Sequence, residues 1–517
     1  MVKTSQPPRS SLPKWAARAA LILLFLGFSY WGVRYSLTKY TALGFSGEFC
    51  YYIEDAASLL DPDLSPEHNF NPFGQNLFGY RGYEATGNPL RSIHFEPLKF
   101  LYAPIYGLSG RISLLFVFIS GLYFSPLLYL AWASPLKERS QQVMAVLWGL
   151  LYVLYPPTME VVSFDLRPRT FLVPASVILL IAVLYQRPLW EKVLALVFLI
   201  AAREEAILIA PFLILANWLS MPPGKPRRRS MITLAALWLT GTFAALAFFE
   251  WGGFERKGGL IQSLAGHWSI LLPTGLLFAA LLWWLVRSER FPNPWRLQLA
   301  AYLPLLALMG GGGILAYLSA YDQVTFGGLL KYLSSEFLYT ARLSTLFAVL
   351  FGLALLLWMG IKPAHRGYGN LALLALVLLS AYGTIHIYPQ IDANYGKGGD
   401  RVRYPEHAAE VWQLRADTDR YATAVLWDYN TMTAFCDYQH GFGLPRLPYF
   451  LVQDEDRLNY PDNLEPLETL LADEIEVIAI HRDNRRIIED LLADLGITPL
   501  KVQISEYGSR YVIYWIK

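Results

Sequence analysis

Long apolar runs separated by short charged breaks fill the first three quarters of the chain. Divided at the charged positions, they give about eleven spans, at 17–37, 111–133, 141–157, 170–186, 189–202, 205–220, 230–249, 268–287, 297–319, 340–361 and 370–388. Several approach the roughly 20 apolar residues that cross a bilayer as a helix. The expected fold is a polytopic α-helical membrane protein. The run 97–109 (PLKFLYAPIYGLS) is too short to span and carries two prolines, which predicts a re-entrant or interfacial piece. It closes a long first outer loop, about 38–110. Within Phe45–Lys99, aromatic and aliphatic residues alternate with Glu48, Glu54, Asp55, Asp61, Asp63 and Glu67. That mixture fits a folded loop on one membrane face better than a disordered one.

Beyond Tyr388 the composition becomes that of a soluble unit. Pro405–Arg415 reads as helical, Tyr421–Trp427 as a strand and Glu476–His481 as a short buried strand. Asn484–Leu495 repeats apolar residues at helical spacing and stops at Gly496, a natural C-cap. Strands are expected at Leu500–Ile504 and Tyr511–Ile516, joined through Tyr507 and Gly508. The predicted organisation is a transmembrane domain over 1–390 and a small extracytoplasmic α/β domain over 391–517.

Charge placement sets the expected orientation. With the N-terminus in the cytoplasm, the inner breaks hold Lys137 and Arg139; Arg187 and Lys192; Lys225 and Arg227–Arg229; Arg287, Arg290 and Arg296; Lys362 and Arg366. All are short and basic, as the positive-inside rule requires, and the outer loops hold most of the acids. The alternation implies an odd number of spans and an outer C-terminus. Lys3, Arg9, Lys14 and Arg18 precede the run Ala19–Tyr35 in the manner of a signal sequence. The run is long and no clear cleavage site follows, so an uncleaved first span is expected.

Composition agrees. The 517 residues are 54% hydrophobic and 16% charged, against about a quarter charged in soluble proteins. The net charge of +2 is uninformative, because the charges are segregated by loop. Two cysteines, Cys50 and Cys436, exclude a disulfide scaffold or Cys-rich zinc site, although both fall outside and can pair. No dinucleotide fingerprint, Walker loop, HExxH or repeat of fixed period is present. Nothing points to nucleic acid.

Four clusters can carry chemistry, all on or near the expected outer face. Glu54 and Asp55, with Glu48, can deprotonate an acceptor or hold a divalent cation, or be solvated loop charges. His94, in His94-Phe95-Glu96-Pro97, can bind phosphate, ligate a metal or relay a proton, or simply bond a backbone carbonyl. Phe164-Asp165-Leu166-Arg167-Pro168-Arg169 offers a carboxylate and a two-arginine phosphate clamp, or a local ion pair. Arg203-Glu204-Glu205 lies between very apolar stretches, where ionisable residues are costly and functional, unless it is a tight outer turn. Together they suit an anionic substrate carrying a reactive phosphate ester. Gly310–Gly313 reads as a packing or kink device, and Arg227–Arg229 as a topology signal touching anionic lipid. Glu255, Arg256, Lys257 and His267 lie in an outer loop.

The segments HFEPLKFLYAPIYGL, SFDLRPRTFLVPASVILL and AAREEAILIAPFLIL resemble blocks of a bacterial family of predicted membrane proteins of unknown function. That family carries HFSP, DFHP and KED patterns in the same order, and is similar to the GT-C superfamily of membrane glycosyltransferases. The resemblance covers roughly 40–220. It implies an outward active site in a bacterial inner membrane, with Asp55 or Glu54 in the first outer loop and Asp165 in the second as catalytic acids. His94, Arg167, Arg169, Arg203 and Glu204 would bind substrate, and Asp55 and Asp165 would hold any divalent metal ion. Here Arg167 stands for the family's histidine, and Arg203-Glu204-Glu205 for its Lys-Glu-Asp. The implied activity is inverting transfer of a sugar from a polyprenyl-phosphate donor to a glycan, lipid or protein acceptor. The alternatives are a transporter or flippase of an anionic lipid-linked substrate, and a non-catalytic scaffold. Transporters tend to show inverted repeats with broken midplane helices; none is found here.

Overall fold

In a computed structural model of the chain, the structure describes residues 14–41, 49, 95–109, 111–155, 168–203, 206–252, 366–395, 409, 412, 425–428, 441–444, 475–481, 485–504 and 511–517. The expected spans at 268–287, 297–319 and 340–361, and both cysteines, lie outside these residues.

The described part is mostly helical. It comprises α1 (Lys14–Thr41), a 3-10 turn (Pro97–Leu101) leading into α2 (Tyr102–Ser109), α3 (Ile112–Ala133) and α4 (Arg139–Leu154). A second 3-10 turn (Pro168–Phe171) leads into α5 (Leu172–Leu184), followed by α6 (Leu189–Ala202), α7 (Ala206–Ser220), α8 (Lys225–Gly252) and α9 (Arg366–Tyr395). Among the described residues, α1 and α3 are long and apolar enough to cross a membrane. The piece expected at 97–109 is indeed a short turn and helix rather than a span. Arg227–Arg229, expected in a loop, lie within the first turns of α8 instead.

The apolar pattern explains which helices are central. α5 is apolar all round and almost wholly buried, as a helix without a polar face must be. α1 and α9 leave Leu23, Leu26, Tyr30, Leu371, Leu378, Leu379 and Ile385 exposed, the outward face that lipid would cover. Cross-links define the run of each helix. Tyr152 of α4 donates to the Tyr123 carbonyl of α3 at 2.8 Å, and Trp238 of α8 donates to the Ile207 carbonyl of α7 at 2.9 Å. Asn370 reaches the Ser140 carbonyl near one end of α4, and Thr384 the Leu154 carbonyl at the other, so α9 runs parallel to α4. Gln141 accepts from the backbone N–H of Lys137 (2.9 Å) and Glu138 (3.3 Å), satisfying donors that the start of α4 leaves open.

Beyond α9 the described strands are β1 (Val425–Asp428), β2 (Gly441–Leu444), β3 (Val477–His481), β4 (Lys501–Ile504) and β5 (Tyr511–Trp515). They form one sheet of order β2-β1-β3-β5-β4, with β1 parallel to β2 and β3, and β5 antiparallel to β3 and β4. Helix α10 (Arg485–Asp494) closes at Gly496, where φ is +67°. Ile497 N–H bonds the Leu492 carbonyl (2.8 Å) and Gly496 N–H the Ala493 carbonyl (3.0 Å). This is the paired C-cap that a left-handed residue permits. Trp412 Nε1 donates to the Thr41 carbonyl at 2.8 Å, tying the segment after α9 to the far end of α1.

At Gly149 of α4 an added Cβ would lie 2.8 Å from Leu21 of α1 and 3.2 Å from Leu127 of α3. Small residues permit this close approach of membrane helices. Gly149→Val should destabilise the bundle by about 1–3 kcal/mol, read as a lowered unfolding temperature of the purified protein in detergent; an unchanged temperature would show that the three helices do not meet there.

Candidate functional site

Arg203 ends α6, and its backbone is extended, with φ −175° and ψ 161°. The N–H of Ala206 bonds back to its carbonyl at 3.0 Å, so α6 turns into α7 within a few residues. The two helices run antiparallel, because Lys192 near the start of α6 bonds Asn217 near the end of α7. α6 has 14 residues and α7 15, giving lengths of only about 21 and 23 Å at 1.5 Å per residue. A hydrocarbon core is about 30 Å thick. The hairpin is therefore shorter than a hydrocarbon core is thick. Arg203 is buried, and a buried arginine needs a counter-charge.

Glu96 supplies it. Arg203 Nη1 lies 3.7 Å from Glu96 Oε1, with the two side chains only 8% and 1% exposed. Glu96 stands immediately before Pro97, whose fixed φ opens the first 3-10 turn. The N–H of Lys99 closes that turn on the Glu96 carbonyl at 3.1 Å, and Lys99 is itself buried. Tyr102 follows, fully buried. Burial pushes its hydroxyl well above the usual phenol range, and the nearby Glu96 charge pushes it further. Tyr102 is therefore a neutral hydrogen-bonding group at all ordinary pH.

The second 3-10 turn meets the same helix. Both turns pack against α6, and Phe171 rests against Phe198, one helical turn before Arg203, with ring centroids 6.3 Å apart. Three segments far apart in sequence thus converge on the Arg203 end of α6. Of the residues singled out in them, Arg203 is in the pair and Arg169 lies on the backbone of the second turn. His94, Arg167 and Glu204 lie outside the described residues, each one position from a described neighbour; Glu54, Asp55 and Asp165 also lie outside them. Among the described residues, no group of three or more His, Cys, Asp or Glu side chains could hold a metal ion.

The role of Glu96 was not legible from its motif, because its partner is over a hundred residues away. Lys99 and Tyr102 carry a weak signal, being polar groups in a short apolar run that cannot span. Asn217, inside LILANWL, is a clearer case of a polar residue at membrane depth that asks for a partner.

Residues 72–249 match a sequence family, DUF2079, described as predicted membrane protein. The match includes HFEP, FDLRPR and AAREE, the segments that carry the resemblance, and the described helices agree with a membrane protein. A comparison with curated proteins finds no match. Among solved structures, the crystal structure of ArnT from Cupriavidus metallidurans in the apo state is 14% identical, with 95% of this chain and 97% of that chain covered at a TM-score of 0.34. Similarity this low carries no chemistry across, and the functional reading rests on the chain's own residues.

Breaking a buried ion pair from one side typically costs about 3–5 kcal/mol, whereas replacing both partners with apolar residues is close to neutral. Arg203→Met and Glu96→Leu should each lower the unfolding temperature sharply, and the double variant should recover most of the loss. Additive losses in the double variant would show that the two side chains are not coupled.

Proposed function

We propose that the chain is a membrane glycosyltransferase of GT-C type, moving a sugar from a polyprenyl-phosphate donor to an extracytoplasmic acceptor. The observation that carries this reading is the buried Glu96–Arg203 pair, at a helix end where both 3-10 turns meet α6. A buried cation beside turns from two other motif-bearing segments suits a lipid phosphate, whose charge sits at the surface while its tail stays in the bilayer.

In the proposed reaction an acceptor hydroxyl oxygen attacks the anomeric carbon from the face opposite the phosphate. Its proton passes to a carboxylate, Asp55 or Glu54 in the first loop or Asp165 in the second. The bond from the anomeric carbon to the phosphate oxygen breaks, and polyprenyl phosphate leaves with the electron pair. Arg203, Arg167, Arg169 and His94 stabilise the departing anion, with Glu204 holding Arg203 or the sugar. The anomeric configuration inverts. Asp55 and Asp165 are also the oxygen donors that a divalent cation would take, and its charge would add to that of the arginines. The site faces outward across a bacterial inner membrane, with a cytoplasmic N-terminus. This orientation rests on the short basic breaks at the opposite helix ends. The unit over 391–517 helps bind the acceptor.

The test is transfer of radiolabelled sugar from a panel of polyprenyl-phosphate donors by purified protein. Wild type should transfer. Asp55→Asn or Asp165→Asn should lose about 10²–10⁴-fold in rate, in each case with folded protein retained. Binding of polyprenyl phosphate without consumption of any donor would favour the transporter reading instead.

A further inference from the structure

The other end of α6 holds a second charged group that the transfer reading leaves unused. Lys192 is 2% exposed. Its ammonium donates to Asn217 Oδ1 at 2.6 Å and approaches Met221 Sδ at 3.9 Å; Asn217 Nδ2 donates in turn to Ser230 Oγ at 2.9 Å. All of these partners are neutral. Among the described residues, no carboxylate lies within ion-pairing distance of Lys192.

The adjacent Glu191 is committed elsewhere. Its Oε2 accepts from Tyr129 (2.6 Å) and Arg187 Nε (2.9 Å), and its Oε1 accepts from Arg187 Nη2 (2.8 Å). From Ala206 to Phe249 the sequence has no Asp or Glu, yet Lys225, Arg227, Arg228 and Arg229 open α8. Arg227 stacks its guanidinium 4.0 Å over the Trp218 ring, and its Nε, shielded from solvent, makes no hydrogen bond. A buried cation facing only neutral groups costs several kcal/mol. Among the described residues, none supplies a negative charge to balance Lys192.

We propose that this corner binds the phosphate headgroup of an anionic glycerophospholipid, seated on Arg227 and Trp218 with Lys192 beneath it. Stacking on Trp218 fixes the guanidinium plane, so its N–H groups are pre-arranged for a phosphate. Trp132, Trp190 and Trp218 are all exposed at this end, as in the aromatic belt at a headgroup level. This tryptophan belt is what favours a lipid over a free phosphate ion.

The test is native mass spectrometry of the full-length protein in detergent, titrated with dioleoyl phosphatidylglycerol, dioleoyl phosphatidylcholine or inorganic phosphate. Wild type should retain phosphatidylglycerol in preference to phosphatidylcholine and gain nothing from millimolar inorganic phosphate. Arg227→Ala, a change at a partly exposed position, should reduce that preference about fivefold, the value of one basic contact at an anionic surface. Lys192→Met should reduce it similarly, without lowering the unfolding temperature in phosphatidylcholine nanodiscs, because it also removes a buried charge. Arg228→Ala should reduce it less. Equal binding of the two lipids, an unchanged preference in Arg227→Ala, or equal losses in Arg227→Ala and Arg228→Ala would overturn the proposal. So would displacement of the lipid by inorganic phosphate.

Discussion

A buried charge constrains everything around it, and Arg203 is that charge. It stands where α6 and α7, at 14 and 15 residues, meet. Once there it must be paired, and Glu96 at 3.7 Å is the partner. Glu96 is brought to it where the chain before α3 forms a 3-10 turn, started by Pro97 and closed by the Lys99 N–H. The short hairpin, the non-spanning turn and the buried ion pair are one arrangement. Changing any of them would leave a charge or a backbone group unsatisfied in an apolar setting.

The two ends of α6 are consequently different environments. At the Arg203 end, cation and anion are balanced within the protein and two irregular turns crowd the helix. At the Lys192 end the cation is buried against neutral partners, Glu191 is occupied by Arg187 and Tyr129, and exposed tryptophans ring the surface. Arg187 also lies 5.7 Å over Trp132. The substrate site is proposed at the first of these ends, and the lipid headgroup contact at the second.

Much of the helical layout was readable from the alternation of apolar runs and charged breaks, because membrane helices must be apolar over most of their length. The limits 189–202 coincide with α6, whereas 170–186 was too generous at its start, where Pro168–Phe171 forms a 3-10 turn before α5. The basic run Arg227–Arg229 read as a break yet lies in helix, since α8 extends past the apolar core and long basic side chains tolerate an interfacial turn. Gly496 announced its own left-handed cap. Strand β2, GFGL, carried almost no signal, because half of it is glycine and its pairing with β1 is made in three dimensions. The site was legible only as a set of motifs. That Arg203 answers Glu96, and that Lys192 answers Asn217, depends on helix packing that no local pattern encodes.

The most direct test of where the lipid phosphate sits is photo-cross-linking. A polyprenyl phosphate with a benzophenone near its phosphate would be irradiated with the purified protein, and the labelled peptides identified by mass spectrometry. Labelling concentrated in the peptides containing Pro97–Ser109 and Leu199–Ile209 is the predicted result. Labelling confined to the Lys192 end, at Trp218–Ser230, would contradict the assignment of the Arg203 end as the substrate site.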